Sequence, residues 1–381
     1  MTDQFALTDD QIAIQEMARR FTADAITPFA AQWDEDHMFP RDTIKAAAEL
    51  GFASIYVSEE SGGIGLGRLD SALIMEAMAY GCPSTSAFIS IHNMASWMID
   101  RFGGAEIKGR YLPQLISMDM IASYCLTEPG SGSDAAALRT SARLEGDHYV
   151  VNGTKQFISG GGVSDIYVTM VRTGEAGPKG ISCLVIEKGM PGVSFGAPER
   201  KLGWNSSPTA QVVLENVKVP VANRVGAEGD GFRFAMAGLD GGRLNIGACS
   251  LGGAQRCLDE AIKYAKERSQ FGQPIAEFQN TQFQLADMAT DLEAARALLY
   301  LAAAKVTSNA PDKTRFSAMA KKLATDTGSS VVDRALQIFG GYGYLKDYPI
   351  ERFWRDLRVH RILEGTNEVM KLIVGRDLLR Q

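Results

Sequence analysis

Leu285, Met288, Leu292, Ala295, Leu299 and Ala302 recur at alternating steps of three and four. A helix gathers that spacing onto one narrow face, and a seam this long is the pattern of a helix packed in a bundle. The same texture runs from about Gly229 to the end, punctuated by Pro311, Gly340-Gly341, Pro349 and Gly365. It also describes Leu7 to about Ala122. There Thr8 caps a helix with Asp9 and Asp10 in its first turn and Ile12, Met17 and Phe21 along its stripe. Pro40 and Gly51 bracket a second helix through Ile44 and Ala48, and the Gly62 to Gly67 loop precedes two more apolar-periodic stretches. Between Ser123 and about Gly226 the texture changes to short branched runs: His148–Val151, Ile166–Val171, Ser182–Ile186 and Gln211–Leu214. Such residues suit a pleated, half-buried surface, and the glycines and prolines between them suit turns. The expected fold is α+β, with an N-terminal helical domain (1–122), a middle antiparallel β domain (123–228) and a C-terminal four-helix-bundle domain (229–381).

Several function classes lose support at once. The net charge of −6 over 381 residues argues against a nucleic-acid surface, which normally needs a concentrated basic face, so no nucleic-acid partner is expected. No window approaches the ~18 apolar residues of a membrane span. The five cysteines are scattered and the four histidines do not pair at ligand spacing, so neither a disulfide frame nor a metal site is expected. The acidic opening, Met1 to Asp10, lacks a basic segment and an apolar core, which reads as a cytoplasmic protein without a targeting peptide. No G-x-G-x-x-G follows a strand, and G-x-x-x-x-G-K-[ST] does not occur.

Four constellations remain. Tyr124 to Asp134 is rich in glycine, proline and hydroxyls, a composition that frees backbone N–H groups to cradle a phosphate or a polar ring edge, and that also serves a tight linker. Ile362 to Glu368 sets Glu364 in a glycine-containing turn before a helix that Thr366 can cap. Desolvation there raises a carboxylate's pKa while the helix dipole opposes the rise, the balance a general base needs. Leu239 to Arg243 enters a helix, and Gln337 to Tyr344 closes one; either can be plain punctuation.

Taken in order, these segments resemble the acyl-CoA dehydrogenase family from end to end. The resemblance rests on Tyr124 to Ser133, Lys155 to Ser159, Arg268 to Gly272 with Phe278-Gln279, Gln337 to Gly341, Arg355-Asp356, and Ile362 to Glu368. It implies the helical, β, helical fold and an FAD cofactor. Flavin contacts are implied for Tyr124, Leu126, Thr127, Gly132 and Ser133, with Phe157, Ile158 and Ser159 on the other side. Thr366, Asn367 and Glu368 are implied contacts as well. Arg268, Phe271, Phe278, Gln279, Gln337, Ile338, Gly340 and Gly341 are implied to reach the cofactor of a neighbouring subunit, hence a homotetramer built as a dimer of dimers. Ser133, Asp240, Gly241, Gly242, Arg243, Gly365 and Arg376 correspond to acyl-CoA contacts, and electron-transfer flavoprotein is the implied acceptor.

Glu364 is the implied base. Some members carry the base one residue before the position of Arg243, and here that residue is Gly242. The family's tryptophan beside the flavin is Phe157 here, which keeps a stacking surface and removes an indole N–H. Within the family, stretches such as Gly203 to Ser206, Gly241 to Ile246 and Gly341 to Tyr348 resemble members acting on short branched acyl groups. Isobutyryl-CoA, oxidised to methacrylyl-CoA as in valine catabolism, is the expected substrate, with Phe88 to Asn93 contributing to the pocket floor. The alternatives are a straight-chain or 2-methylbutyryl-CoA dehydrogenase, an acyl-CoA oxidase, and a non-catalytic acyl-CoA-binding scaffold.

Overall fold

The structure is a computed structural model that describes residues 7–380. The first six residues of the acidic opening, on which the targeting expectation partly rests, lie outside the described residues. Helix α1 (Asp9–Phe21) starts as expected: Gln11 N donates to Thr8 Oγ1 and Gln11 Oε1 accepts from Thr8 N, a reciprocal capping box. Helices α2 (Ala30–Glu35) and α3 (Arg41–Glu49) follow. Past the glycine loop come three helices, α4 (Arg68–Gly81), α5 (Pro83–Phe102) and α6 (Ala105–Ile116), one more than the pattern suggests. Gly109 and Pro113 dilute the periodicity of α6, although Ile107, Tyr111, Leu112 and Leu115 are all buried.

The middle region is a sheet. Its strands are β1 (Ala122–Cys125), β2 (Ser141–Glu145), β3 (His148–Ser159), β4 (Ile166–Arg172), β5 (Ile181–Glu187), β6 (Val193–Phe195), β7 (Thr209–Pro220) and β8 (Arg224–Val225). They lie in the order β6-β7-β3-β2-β4-β5-β8, with β1 alongside β4. Pairing is antiparallel except for β1 with β4 and the single β2–β4 link. Helices α7 (Gly231–Glu267), α8 (Gln279–Thr307), α9 (Lys313–Phe339), α10 (Ile350–Arg358) and α11 (Asn367–Leu378) complete the chain. The α8 seam is buried as its spacing predicts, from Met288 through Leu292, Ala295 and Leu299 to Ala302. Because α7 begins at Gly231, the Asp240 to Arg243 segment lies inside a helix and not at its entry.

The three layers are stapled close to the end of α10. Arg355 grips Asp34 of α2 with both terminal nitrogens, at 3.2 and 2.6 Å. The next residue, Asp356, accepts from the Trp204 backbone N–H at 2.6 Å. A Cβ at Gly203 would stand 2.6 Å from the Arg355 carbonyl, so only glycine lets the loop before β7 come so near. The Arg355-Asp356 pair thus ties the N-terminal helices and the sheet to the segment leading into Glu364. Among the described residues no helix is long and apolar enough to cross a membrane.

Candidate active site

The loop after β1 is organised by a buried ion pair. Lys155 on β3, fully buried, donates to Glu128 Oε1 at 2.8 Å and to the Leu126 carbonyl at 3.1 Å. Glu128 also accepts from the Arg139 and Thr140 N–H groups at 2.6 and 2.9 Å. Removing one partner of such a pair leaves an uncompensated buried charge, so the pair holds its segment rigidly. The Gln156 N–H donates to the Thr127 carbonyl and Ser123 Oγ to the Ser159 carbonyl, which sets the two expected flavin segments side by side. On that shared edge Phe157 is 64 % exposed and holds a left-handed φ of 57°. A bulky side chain in that region is a backbone outlier, and such outliers gather at ligand sites. The N–H groups of Thr127, Gly132 and Ser133 have no protein acceptor among the described residues. The Tyr124 hydroxyl is buried without a partner. An exposed aromatic face, open N–H donors and an orphaned hydroxyl fit a planar ring with polar edges, which is what the isoalloxazine of FAD presents.

Glu364 occupies the turn before α11. It has φ 56° and Gly365 has φ 92°, two successive left-handed residues. Thr366 caps α11 as expected, accepting from Val369 N at 3.3 Å. The Glu364 carboxyl lies flat on α7: a Cβ at Gly242 would meet Oε2, Cδ and Oε1 at 2.5, 2.9 and 3.1 Å. Oε2 is buried and has no hydrogen-bond partner, and the Glu364 N–H is likewise free among the described residues. Burial pushes its pKa up to about 7, with the nearby charges of Arg243 and Lys321 pulling the other way. Tyr124, its own pKa raised by burial and by the Glu364 charge, faces the same space.

The remaining expected residues are placed as follows. Arg243 Nη1 donates to Asp240 Oδ1 at 2.8 Å and Nε to the Glu364 carbonyl at 3.3 Å. Asp240 also accepts from Thr314. Gly241, beside Gly242 on α7, is bare for a similar reason: a Cβ there would run into the Arg68 guanidinium. Asn367 is buried, and its side chain is engaged by Lys321, Thr325 and Asp326. Leu126 and Ile158 are buried, Gly132, Ser133, Gln279, Gln337, Glu368 and Arg376 exposed. Of Phe88 to Asn93, Phe88 packs on Phe39 and Asn93 is spent on the backbone of residues 52, 55 and 89. Ser90 reaches Asn245, which also donates to the Tyr56 hydroxyl at 3.4 Å. Arg68, buried and 3.7 Å over the Tyr56 ring, completes that cluster. Sequence reading missed Tyr56, Arg68 and Lys321, because nothing local marks them.

A separate cleft of about 370 Å³ brings together Arg268, Ile338, Gly340 and Gly341 with Tyr264, Phe339 and Tyr342. It shares no lining residue with the Tyr124 to Ser159 edge. Phe271 beside it is 96 % exposed, in edge contact with Phe278.

This fold and site define a flavin-dependent oxidoreductase. Acyl-CoA dehydrogenase domain families match along the chain: the N-terminal domain over residues 8–119, the middle domain over 123–217 and the C-terminal domain over 229–379. Mitochondrial isobutyryl-CoA dehydrogenase of Dictyostelium discoideum is 57 % identical, covering 98 % of this chain and 90 % of the relative. That of Bos taurus is 53 % identical with the same coverage, 98 % and 90 %. The solved butyryl-CoA dehydrogenase of Megasphaera elsdenii aligns with a TM-score of 0.96 at 37 % identity, covering 99 % of this chain and 100 % of that one. The chain belongs to the acyl-CoA dehydrogenase family, and its cofactor is FAD. The resemblance and the helical, β, helical order expected from sequence are borne out. The expected cytoplasmic setting finds no echo in the two relatives, both mitochondrial by name.

Proposed function

We propose that this chain oxidises the Cα–Cβ bond of isobutyryl-CoA to methacrylyl-CoA, a valine-catabolic step, with Glu364 as base and electron-transfer flavoprotein as acceptor. The observation that carries the base is the Glu364 carboxyl, laid on Gly242 with Oε2 buried and unpaired at a pKa of about 7. A general base works best when its pKa lies near the operating pH. Glu364 takes the α proton, and its own free N–H stands ready to donate to the thioester oxygen as negative charge grows there. Bound FAD supplies the acceptor for the hydride that leaves the β carbon. Tyr124 to Ser133 hold the ring edge and Phe157 to Ser159 cover it. Arg243 and Asp240 form the wall against which the thioester lies, with Arg376 and Ser133 toward the CoA. The Arg268 and Gly340 cleft serves the cofactor of a neighbouring subunit in a homotetramer, and the chain divides into domains at 122/123 and 228/229.

The two isobutyryl-CoA dehydrogenase relatives support the substrate. The Tyr56–Arg68–Asn245 cluster supports a short pocket, because stacked and hydrogen-bonded side chains fill the space a long chain needs.

The test is anaerobic mixing of the purified holoenzyme with isobutyryl-, butyryl-, 2-methylbutyryl- and octanoyl-CoA, followed by bleaching of the flavin. Isobutyryl-CoA should give the highest kcat/KM, by a margin within the ~10–200-fold that apolar pocket shape allows. Glu364→Gln should keep FAD and bind acyl-CoA, yet reduce its flavin at least ~10²–10⁴-fold more slowly. Near-normal reduction by that variant removes Glu364 from its role. Butyryl-CoA better by tenfold defeats the substrate assignment alone, and peroxide release in air would indicate an oxidase.

A further inference from the structure

Lys321 lies on α9, fully buried, one helix away from the turn that carries Glu364. Its Nζ donates to the Gly365 carbonyl at 2.7 Å and to Asn367 Oδ1 at 2.9 Å. Among the described residues it has no carboxylate within ion-pair distance, which is unusual for a buried ammonium. Taking such a charge out of water costs several kcal/mol unless another charge or strong hydrogen bonds offset it. The leading opposite charge acting on it is that of Glu364, ahead of Asp326 on its own helix and Glu368 on α11. Arg243 from α7 opposes it, and His360, which feels the Lys321 charge, is buried and kept neutral.

The two cations grip successive carbonyls. Arg243 holds that of Glu364 from α7, and Lys321 holds that of Gly365 from α9. The residues so held are the two with positive φ, where the backbone would otherwise relax. Tyr56 and Tyr124, the other titratable groups facing Glu364, stay neutral through burial and bring no charge to the site.

We propose that Lys321 is a positioning residue for proton abstraction: its buried ammonium fastens the turn that presents Glu364 and supplies positive charge that favours the ionised carboxylate. This rests on the reading of Glu364 as the base. Arg243 and, after it, Lys321 both favour the ionised Glu364 carboxylate, and the Lys321 contribution disappears when the ammonium is removed.

Lys321→Met deletes both the charge and the hydrogen bonds, while Lys321→Gln deletes the charge and retains a donor for the Gly365 carbonyl. Each holoenzyme is assayed for kcat/KM against pH with isobutyryl-CoA, for flavin content, and for acyl-CoA affinity by perturbation of the flavin spectrum. The acid limb of the profile should move up by about one unit or more in both variants. At neutral pH both lose about tenfold or more, and Lys321→Gln recovers most of its rate at alkaline pH. Lys321→Met recovers less, since its turn is no longer held. Should Lys321→Met fail to yield holoenzyme, the Lys321→Gln profile decides alone. An unmoved acid limb in a folded variant overturns the proposal, whether activity is retained or uniformly lost. If Glu364→Gln is inactive while the Lys321 profiles stay in place, only this inference fails; an active Glu364→Gln removes the base assignment itself.

Discussion

Replacing Gly242 by alanine should separate stability from catalysis in this protein. The added Cβ would sit 2.5 Å from Glu364 Oε2 and within 3.1 Å of Cδ and Oε1. Ordinary non-bonded contact needs about 3.5 Å, so the whole carboxyl must retreat by about 1 Å. The fold can absorb this, because the crowded atoms are the end of a flexible side chain and α7 keeps its backbone. Alanine in a helix interior is better than glycine by ~1 kcal/mol, which offsets the crowding. Catalysis cannot absorb it so easily, since a misplacement of ~1 Å at reacting groups costs about 10²-fold. The expected outcome is a holoenzyme with unchanged or higher Tm, unchanged flavin content and a kcat for isobutyryl-CoA lowered about a hundredfold. Steady-state kinetics and thermal melting of the same preparation check both halves. A kcat within twofold of wild type would mean that the Glu364 carboxyl does not work from its place on Gly242.

Glu364→Gln should also gain stability as pH rises. The folded pKa of about 7 stands above the ordinary 4.5, so the folded state holds a proton that the unfolded chain has released, and wild-type stability falls between those values. At 1.36 kcal/mol per unit the loss reaches up to about 3 kcal/mol above pH 7, and glutamine does not suffer it. Melting curves from pH 5 to 8 should show the variant's advantage widening as pH rises, and a constant gap would refute the burial account. Sedimentation at micromolar concentration should give the proposed tetramer, for which Phe271, Tyr344 and Leu379, 96, 83 and 90 % exposed, offer apolar surface to cover. A flavin-loaded monomer would contradict the assignment of the Arg268 cleft to a neighbour's cofactor.

What the chain reveals from sequence, and what it withholds, follows from the range of the interactions involved. The α8 seam, the Thr8 box and the Thr366 cap are set by residues three or four apart, so spacing reports them directly. The turn that carries Glu364 is legible because it is written locally as Glu-Gly-Thr-Asn. Lys321 is not, for it sits in an ordinary helical run and acquires its meaning only when α9 docks beneath the turn. Arg68 and Tyr56 are hidden for the same reason, each an unremarkable residue until α4 packs against α7. The left-handed φ of Phe157 has no local cue at all, since glycine or asparagine would be the expected occupant.

The glycine pair in α7 joins these observations. Two consecutive glycines inside a 37-residue helix cost helical stability of ~1 kcal/mol each against alanine, and punctuation cannot explain them because the helix neither starts nor stops there. Each is required by what lies on it: the Arg68 guanidinium on Gly241 and the Glu364 carboxyl on Gly242. One bare patch of helix therefore seats a buried cation that stacks on Tyr56 and, one residue on, the carboxylate that Arg243 and Lys321 favour electrostatically. A side chain at position 242 would occupy the carboxyl's own place. The sequence choice that leaves α7 bare at Gly242 is thus the same choice that makes room for the Glu364 carboxyl, the proposed base, arriving from the turn before α11.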